Sequence, residues 1–248
     1  MRKYILLVGL MLFTKVVYAQ NRFFIKASAG PSFPYGKFED QQTQDLAKLL
    51  KTGPNYALSV GYDLFRHWGL ALTGTAWTHD VKNERMKNYL VNAYIPVAFQ
   101  SYIKSLSTSS EKFEFRTITF SPYYTFNFAS RFRVDIRAHA GIMHMRFPVI
   151  TGTGTGTSPI DNQDYDLSVQ TQSSNSTTFI YGAGGSLYYC LSKNFRFFVD
   201  VDGLRAEPKF DDIVVSGSLG AISLNTTRPA FSQTAGTLST RLGISFFL

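Results

Sequence analysis

The sequence predicts an all-β chain that forms an eight-stranded, antiparallel, up-and-down transmembrane β-barrel with long extracellular loops. Apolar and polar residues alternate with period two in eight stretches. Each stretch is long enough to supply the roughly 9–11 residues that a tilted strand needs to cross a bilayer. The apolar parity holds many of the chain's 22 Phe and 14 Tyr, whereas the other parity is rich in Gly, Ser and Thr. Short turns alternate with long loops, as in outer-membrane barrels.

The first three strands are predicted at Arg22–Phe33, Tyr56–Leu64 and Trp68–Trp77. In each of them the large apolar residues share one parity, which we expect to face lipid. The opposite parity carries small residues and two charged ones, Lys26 and Asp63, which we expect to face the barrel interior.

Strands four and five are predicted at Phe115–Phe128 and Phe132–Ile142. Pro122 lies within strand four, and because proline cannot donate a ladder hydrogen bond it predicts a bulge or a local break there. Strand five alternates most clearly. Its apolar parity is unbroken, and its interior parity carries four successive titratable side chains: Arg133, Asp135, Arg137 and His139.

The last three strands are predicted at Thr177–Cys190, from Phe195 onward, and at Thr237–Leu248. The last stretch alternates up to its final residue, with Leu, Ile and Phe on one parity and polar or small residues on the other. Thr240 is the polar exception on the first parity, and Phe247 is the apolar exception on the second. The interior parity of the last two strands contributes three further charged residues: Asp200, Asp202 and Arg241.

The connections are expected to be of two kinds. Three tight turns are predicted at Leu64–Trp68, Phe128–Phe132 and Leu191–Phe195. Four long loops are predicted at Pro34–Asn55, Thr78–Glu114, Phe147–Ser176 and Ala206–Phe231. The third loop contains two low-complexity pieces that predict flexible, irregular chain, Thr151–Thr157 and Ser173–Thr178. Two loops contain candidate helices, Glu39–Lys51 and Met86–Leu106.

The N-terminus resembles a secretory signal peptide. Arg2 and Lys3 precede an apolar run that is too short for a spanning helix, and small or tolerated residues precede a cut after Ala19. We therefore expect residues 1–19 to be a signal peptide and residues 20–248 to be the barrel domain. Its removal would lower the formal net charge from the +8 of the full chain. The single Cys190 allows no internal disulfide.

The charged residues on the interior parity are expected to form a network inside the barrel. An eight-stranded barrel is just wide enough for side chains to fill, and buried charges require partners. The structural interpretation is a network that fills the barrel and closes it to solutes. The functional alternatives are an ion or proton path, a ligand pocket at the mouth, or Ca²⁺ bound by Asp200 and Asp202. The predicted network comprises Lys26, Asp63, Arg133, Asp135, Arg137, His139, Asp200, Asp202 and Arg241.

The segment Arg241–Leu248 resembles the C-terminal assembly signal of outer-membrane barrels. That signal has a polar residue, a glycine and two apolar residues at fixed spacing. Arg241, Gly243, Phe246 and Leu248 occupy those positions, with Leu in place of the commoner terminal Phe. This resemblance implies recognition by the barrel assembly machinery during insertion.

The whole mature chain resembles the outer-membrane β-barrel domain family, which includes PorT-like and OmpA-like eight-stranded barrels. The resemblance implies an integral, multi-pass protein of the Gram-negative outer membrane with periplasmic termini. It also implies a non-enzymatic function through partner contacts, most concretely as an accessory component of the type IX secretion system. The alternatives are a structural or adhesive surface barrel of the OmpA/OmpX type and a lipid A-modifying barrel enzyme. A conducting pore is disfavoured by the number of strands.

Several classes of function have no support in the sequence. We find no phosphate-binding loop, zinc-ligand spacing or nucleic-acid motif, so we expect no cofactor, metal or nucleic-acid partner. No serine and carboxylate pair visibly with His79 or His144, the two histidines near the predicted outer rim. The cations of the long loops have two interpretations that the sequence does not separate: pairing with lipopolysaccharide phosphates, or an ordinary solvated loop surface. A soluble β-sandwich is the alternative architecture, but the aromatic residues are too many for one small core.

Overall fold

The computed structural model describes residues 22–35, 49–94, 100–158, 162–220, 222–232 and 234–248. The predicted signal peptide and most of the predicted helix Glu39–Lys51 lie outside these residues. In chain order the strands are β1 (Phe23–Tyr35), β2 (Gly53–Asp63), β3 (Trp68–His79), β4 (Ile103–Ser110), β5 (Phe113–Asn127), β6 (Phe132–Phe147), β7 (Ile150–Thr157), β8 (Asp164–Thr171), β9 (Ser174–Cys190), β10 (Phe195–Ala206), β11 (Lys209–Phe210), β12 (Ile213–Leu219), β13 (Ile222–Arg228), β14 (Phe231–Ser232) and β15 (Ala235–Phe247).

Eight of these strands form one closed antiparallel barrel in the order β1-β15-β10-β9-β6-β5-β3-β2. The first and last strands close it, with Phe24 opposite Phe247 and Ala29 opposite Leu242. The predicted eight-stranded, up-and-down barrel is therefore confirmed. The predicted turns are confirmed as well, because β2–β3, β5–β6 and β9–β10 are each joined by four residues. We call this end of the barrel the short-turn end and the opposite end the loop end.

Pro122 produces a local break rather than a bulge. Phe120 pairs with Ala140 and Tyr123 with Arg137, so the register between β5 and β6 is the same on both sides of the unpaired stretch. On its other edge Pro122 stays paired with Leu70 of β3.

The loop end carries a second sheet, which the sequence did not predict. Five strands pair in the order β13-β12-β8-β7-β4, and we call them the cap sheet. The prediction of an irregular third loop is wrong, because Thr151–Thr157 lies in β7 and residues 174–178 belong to β9. Pro148 lies between β6 and β7, where the missing N–H ends the barrel ladder.

One helix, α1 (Asn83–Tyr94), packs under the cap sheet. Its Met86 and Leu90 are buried in the same apolar cluster as Leu106 of β4. The predicted helix Met86–Leu106 is correct only in its first part, because β4 begins at Ile103. Alternation explains the difference: Leu106 and Thr108 are buried while Ser105, Ser107 and Ser109 are exposed, which is the period of a strand. Among the described residues no helix is long and apolar enough to cross a membrane.

Candidate functional site

The lipid-facing surface ends where the two faces of the barrel strands exchange polarity. In β6, Ile142 is outward and exposed, but the next outward residue, His144, is polar, and the inward Met143 and Met145 are buried. The register with β9 is continuous across this exchange, with Ile142 opposite Phe179 and two residues later His144 opposite Thr177. No bulge therefore causes it. It marks the level at which lipid gives way to water on the outside.

Aromatic side chains mark the other limit of the lipid-facing surface. Near the short turns Phe65 is 72% exposed and Phe128 is 64% exposed, with Trp68, Phe126 and Phe132 close by in the fold. Such aromatic girdles lie at the membrane–water interfaces of barrels. Since the barrel is closed, each of its strands pairs with two neighbours and satisfies its backbone groups by that pairing, apart from the unpaired stretch beside Pro122.

The barrel interior contains the predicted charged residues in two linked groups. The first lies toward the short-turn end and centres on Arg133. Its Nε lies 3.1 Å from Asp135 Oδ1, and its Nη2 lies 3.5 Å from Asp63 Oδ1. Thr125 Oγ1 donates a 2.7 Å hydrogen bond to Asp135, and the Tyr123 hydroxyl donates to Asp63. Each carboxylate thus has both an ionic and a neutral partner.

Lys26 connects this first group with the buried aromatic rings of Phe24 and Tyr188. Its Nζ lies 3.9 Å from Asp135 Oδ2 and donates to the Tyr188 hydroxyl. The same ammonium lies 4.6 Å from the ring centre of Tyr188 and 4.9 Å from that of Phe24. Attraction by ring faces compensates part of the lost hydration of this buried cation.

The second group has Asp200 and Asp202 between two arginines. Arg137 Nη2 lies 3.1 Å from Asp200 Oδ1 and 2.8 Å from Asp202 Oδ1. Arg241 Nη2 lies 3.6 Å from Asp200 Oδ2 and also contacts Asp202. Ser186 joins the two sides, donating a 2.5 Å hydrogen bond to Asp200 while accepting one from Arg137. Both carboxylates therefore contact guanidinium groups.

His139 extends the second group into a chain of three side chains. Its Nε2 lies 3.0 Å from Asp202 Oδ1, and its Nδ1 lies 2.7 Å from Ser121 Oγ. These are the three groups of a hydrolase triad, but Ser121 is fully buried at 0% exposure. The cavity beside His139 and Asp202 has a volume of about 20 Å³, enough for about one water molecule, and Ser121 does not line it. A substrate has no room to reach the serine in this arrangement.

The structure places all nine predicted network residues in the interior and adds partners that the sequence reasoning missed. Tyr123 and Tyr188 lie on the interior parity, which could have identified them. Asn55 precedes the predicted start of its strand; its Oδ1 accepts a 3.0 Å hydrogen bond from Arg241. Arg196, also on the interior parity, stacks on Phe247 with its guanidinium carbon 3.7 Å from the ring centre.

Apolar side chains fill the loop end of the barrel above the polar network. Inward residues of the barrel strands, such as Trp77, Phe115 and Met143, share one cluster with Ile150, Val169 and Val215 of the cap sheet. Trp77 and Phe115 stack with ring planes 5° apart and centres 5.3 Å apart. The interior is therefore polar in its middle and closed by apolar packing at the loop end.

The cap sheet has one buried and one exposed face. Leu106, Leu167 and Val215 point into the apolar cluster. On the other face hydroxyls meet across strands, with Ser105 Oγ 2.9 Å from Thr155 Oγ1 and Ser168 Oγ 2.9 Å from Ser218 Oγ. The exposed residues of this face include Ser105, Ser107, Ser109, Thr153, Thr155, Asp166, Ser168, Gln170 and Ser216.

The four positions of the predicted assembly signal lie at different places in β15 and beside it. Arg241 belongs to the interior network. Gly243 faces inward where a Cβ would lie 2.5 Å from both the Ala27 oxygen and the Phe198 ring, so a side chain has no space. Phe246 is exposed on the lipid side. The Leu248 amide donates a 2.8 Å hydrogen bond to the Phe23 carbonyl.

The chain aligns with several solved outer-membrane proteins at low sequence identity and low TM-score. Ail of Yersinia pestis is 13% identical, with 91% of this chain and 99% of that chain covered and a TM-score of 0.41. A major outer membrane protein of Thermus thermophilus is 14% identical over 92% and 98%, with a TM-score of 0.44. The N-terminal barrel domain of Pseudomonas aeruginosa OprF is 17% identical over 92% and 98%, with a TM-score of 0.35. No family model and no curated protein matches the chain.

The assignment rests on the chain's own architecture. The strands close without a free edge, their outer surface is apolar between an aromatic girdle and a polar rim, and their interior is polar. A closed barrel with lipid outside is the only way for strands to span a bilayer. The chain is an eight-stranded β-barrel of the outer membrane, which it crosses with all eight strands.

Proposed function

We propose that this barrel is neither an enzyme nor a pore and that it binds a partner through the cap sheet. The observation that carries the proposal is the contrast between the two parts. The described interior is filled by charged, aromatic and apolar side chains, whereas most of the described residues on one face of the cap sheet are exposed. In this proposal the loop end faces the cell exterior and the short turns face the periplasm, as in barrels of this type.

A closed interior predicts no ion conduction. We expect the purified protein to produce no single-channel steps in planar bilayers, since the apolar cluster at the loop end leaves no polar path through it. A double variant, Trp77→Ala with Met143→Ala, removes part of that cluster. It serves as the comparison in which the loop end of the barrel is opened. Regular conductance steps from the unmodified protein would show that the interior is open and would refute this part of the proposal.

The most concrete form of the proposal is an accessory role in type IX secretion. It is supported by the resemblance to PorT-like barrels and by an extramembrane sheet large enough to hold a partner. Deleting the gene is expected to reduce surface display of exported cargo, and the intact gene should restore it. Normal cargo display in the deletion strain would exclude this role.

A structural or adhesive surface barrel is the second candidate, and the exposed hydroxyl face of the cap sheet favours it. Hydroxyl and amide groups can hydrogen-bond to many polar surfaces. This function predicts normal cargo export in the deletion strain together with altered attachment or envelope integrity, measured by adhesion and detergent-sensitivity assays.

A lipid A-modifying enzyme remains the third reading, and the structure offers two places to test it. Ser121, His139 and Asp202 are enclosed, and His144 faces outward beside Thr177 at 3.1 Å. We expect lipid A masses to be identical in cells with and without the gene. A mass difference that disappears in the Ser121→Ala or His144→Ala variant would assign an activity to that residue and overturn the non-enzymatic proposal.

A further inference from the structure

A groove of about 790 Å³ runs along the lipid-facing side of the barrel, across β15, β1, β2, β3 and the edge of β5 at Arg116. Its floor on β3 is formed by Gly74 and Ala76, both outward-facing. On β2 the large side chains of Tyr56 and Leu58 stand beside this floor and are 61% and 60% exposed. The groove is thus part of the surface that meets lipid, separate from the cap sheet.

The strand register defines the walls of the groove over β3. Ala76 lies between Tyr56 and Arg116, and Gly74 lies between Leu58 and Ile118. The flanking strands β2 and β5 are two strand spacings apart, about 10 Å. The result is a furrow with small residues on its floor and large ones on both sides, wide enough for a hydrocarbon chain.

Gly74 is not explained by the packing of the protein itself. Most glycines of the barrel face close neighbours: a Cβ at Gly61 would lie 2.1 Å from the Phe24 ring, and one at Gly141 would lie 2.0 Å from the Ile118 oxygen. At Gly74 the nearest atom is the Leu58 oxygen at 4.0 Å. A glycine within a strand weakens it and often marks a place where a ligand approaches closely.

The loop end of the furrow carries a cation at the membrane boundary. Arg116 belongs to the first polar row beyond the lipid-facing surface, and its side chain is 74% exposed. Its carboxylate neighbour, Glu114, is 3.6 Å away, a long contact between exposed groups. His144 is the adjacent residue of the same row. This is the level of lipid headgroup phosphates, and guanidinium groups bind phosphate with strong, charge-assisted hydrogen bonds.

We propose that the furrow binds one acyl chain of lipid A, with a lipid A phosphate on Arg116. The chain fills the space over Gly74 and Ala76, and Tyr56 lies beside the headgroup at the level where aromatic residues favour the interface. Lipid A is the phosphorylated lipid of the leaflet on the loop side, given the orientation in the proposed function. The site itself is independent of any partner at the cap sheet.

The test is native mass spectrometry of the detergent-purified full chain, titrated with deep-rough lipopolysaccharide, phosphatidylglycerol or phosphatidylcholine. Two variants address the site, Gly74→Leu and Arg116→Gln. Each has a matched control: Gly203→Leu, whose Cβ would also meet only a carbonyl oxygen, at 3.9 Å, and Arg205→Gln, another exposed arginine at the loop end. Heat-modifiable mobility on gels confirms that each variant is folded.

We expect each site variant to raise the dissociation constant for lipopolysaccharide roughly tenfold, the effect of losing one charge-assisted contact or its equivalent. The controls should remain within about twofold of the unmodified protein. Three results would overturn the proposal. The first is an unchanged affinity of Gly74→Leu for lipopolysaccharide. The second is binding of phosphatidylglycerol as tight as that of lipopolysaccharide, with the same sensitivity to the variants. The third is a dimer that Gly74→Leu converts to a monomer, because the groove would then bind a second copy of the chain.

Discussion

Removal of Phe246–Leu248 is expected to prevent the barrel from closing. Phe246 pairs with both Ile25 and Phe195, so it joins β15 to its two neighbours at the short-turn end. Phe247 is 2% exposed and packs against Phe24 with ring centres 5.3 Å apart. Without these residues the seam between the first and last strands loses its anchor. We expect no heat-modifiable, protease-resistant protein in the outer membrane.

Two single substitutions separate the predicted assembly signal from packing. Phe247→Ala leaves the four signal positions intact but removes a buried ring, which costs about 3–5 kcal/mol and should give an inserted, less stable barrel. Phe246→Ala changes a signal position whose side chain is exposed to lipid, and should reduce insertion more than stability. A truncated chain that still inserts and shifts on heating would contradict the role assigned to this segment.

Asp202→Ala is expected to be the most destabilising substitution in the interior. The carboxylate contacts Arg137, Arg241 and His139, and its loss leaves two buried guanidinium groups short of negative charge. Breaking a buried ion pair from one side costs about 3–5 kcal/mol. Urea unfolding in lipid vesicles, followed by tryptophan fluorescence, measures the change in the free energy of unfolding.

The matched control is Asp164→Ala in the cap sheet. Asp164 Oδ2 lies 2.7 Å from Lys104 Nζ, but both side chains are more than half exposed. Water screens this pair, so its loss should leave the free energy of unfolding nearly unchanged. If Asp202→Ala were as mild as this control, the interior network would not be what holds the barrel strands together.

The barrel was predictable from the sequence because period two gives both the strand and the direction of each side chain. The alternation from Phe132 to Ile142 places Arg133, Asp135, Arg137 and His139 inside without any knowledge of tertiary contacts. The seam between the first and last strands follows in the same way, since an up-and-down barrel must pair them.

The cap sheet was not predictable with the same reasoning. In β7 the low-complexity run Thr151–Thr157 has the composition of a flexible loop, and it forms a strand because β4 and β8 pair on its two sides. Gly154 fits there because a Cβ would lie 2.0 Å from the Ser105 oxygen. Whether this segment forms a strand depends on pairing partners that are distant in sequence, and the local composition carries no information about those partners.

The apolar cluster at the loop end was missed for a related reason. Large apolar residues were expected to face lipid, an expectation that fails beyond the membrane boundary, where Met143 and Met145 point inward and Arg146 outward. After Ile142 the apolar residues move from the outward to the inward parity. This change is visible in the sequence and could have located that boundary. The site partners Tyr123 and Tyr188 were likewise on the predicted interior parity, whereas Asn55 depended on where its strand begins.

The most direct test of the proposed function is complementation of the deletion strain by a chain with an altered cap sheet. Ser107 and Ser168 flank Thr153 on the exposed face. The double variant Ser107→Arg with Ser168→Arg therefore alters that face and leaves the buried face unchanged. Ser130→Arg in a short turn is the control. We predict that the double variant inserts normally but fails to restore cargo display or attachment, while the control restores it. Full restoration by the double variant would contradict the assignment of function to the cap sheet.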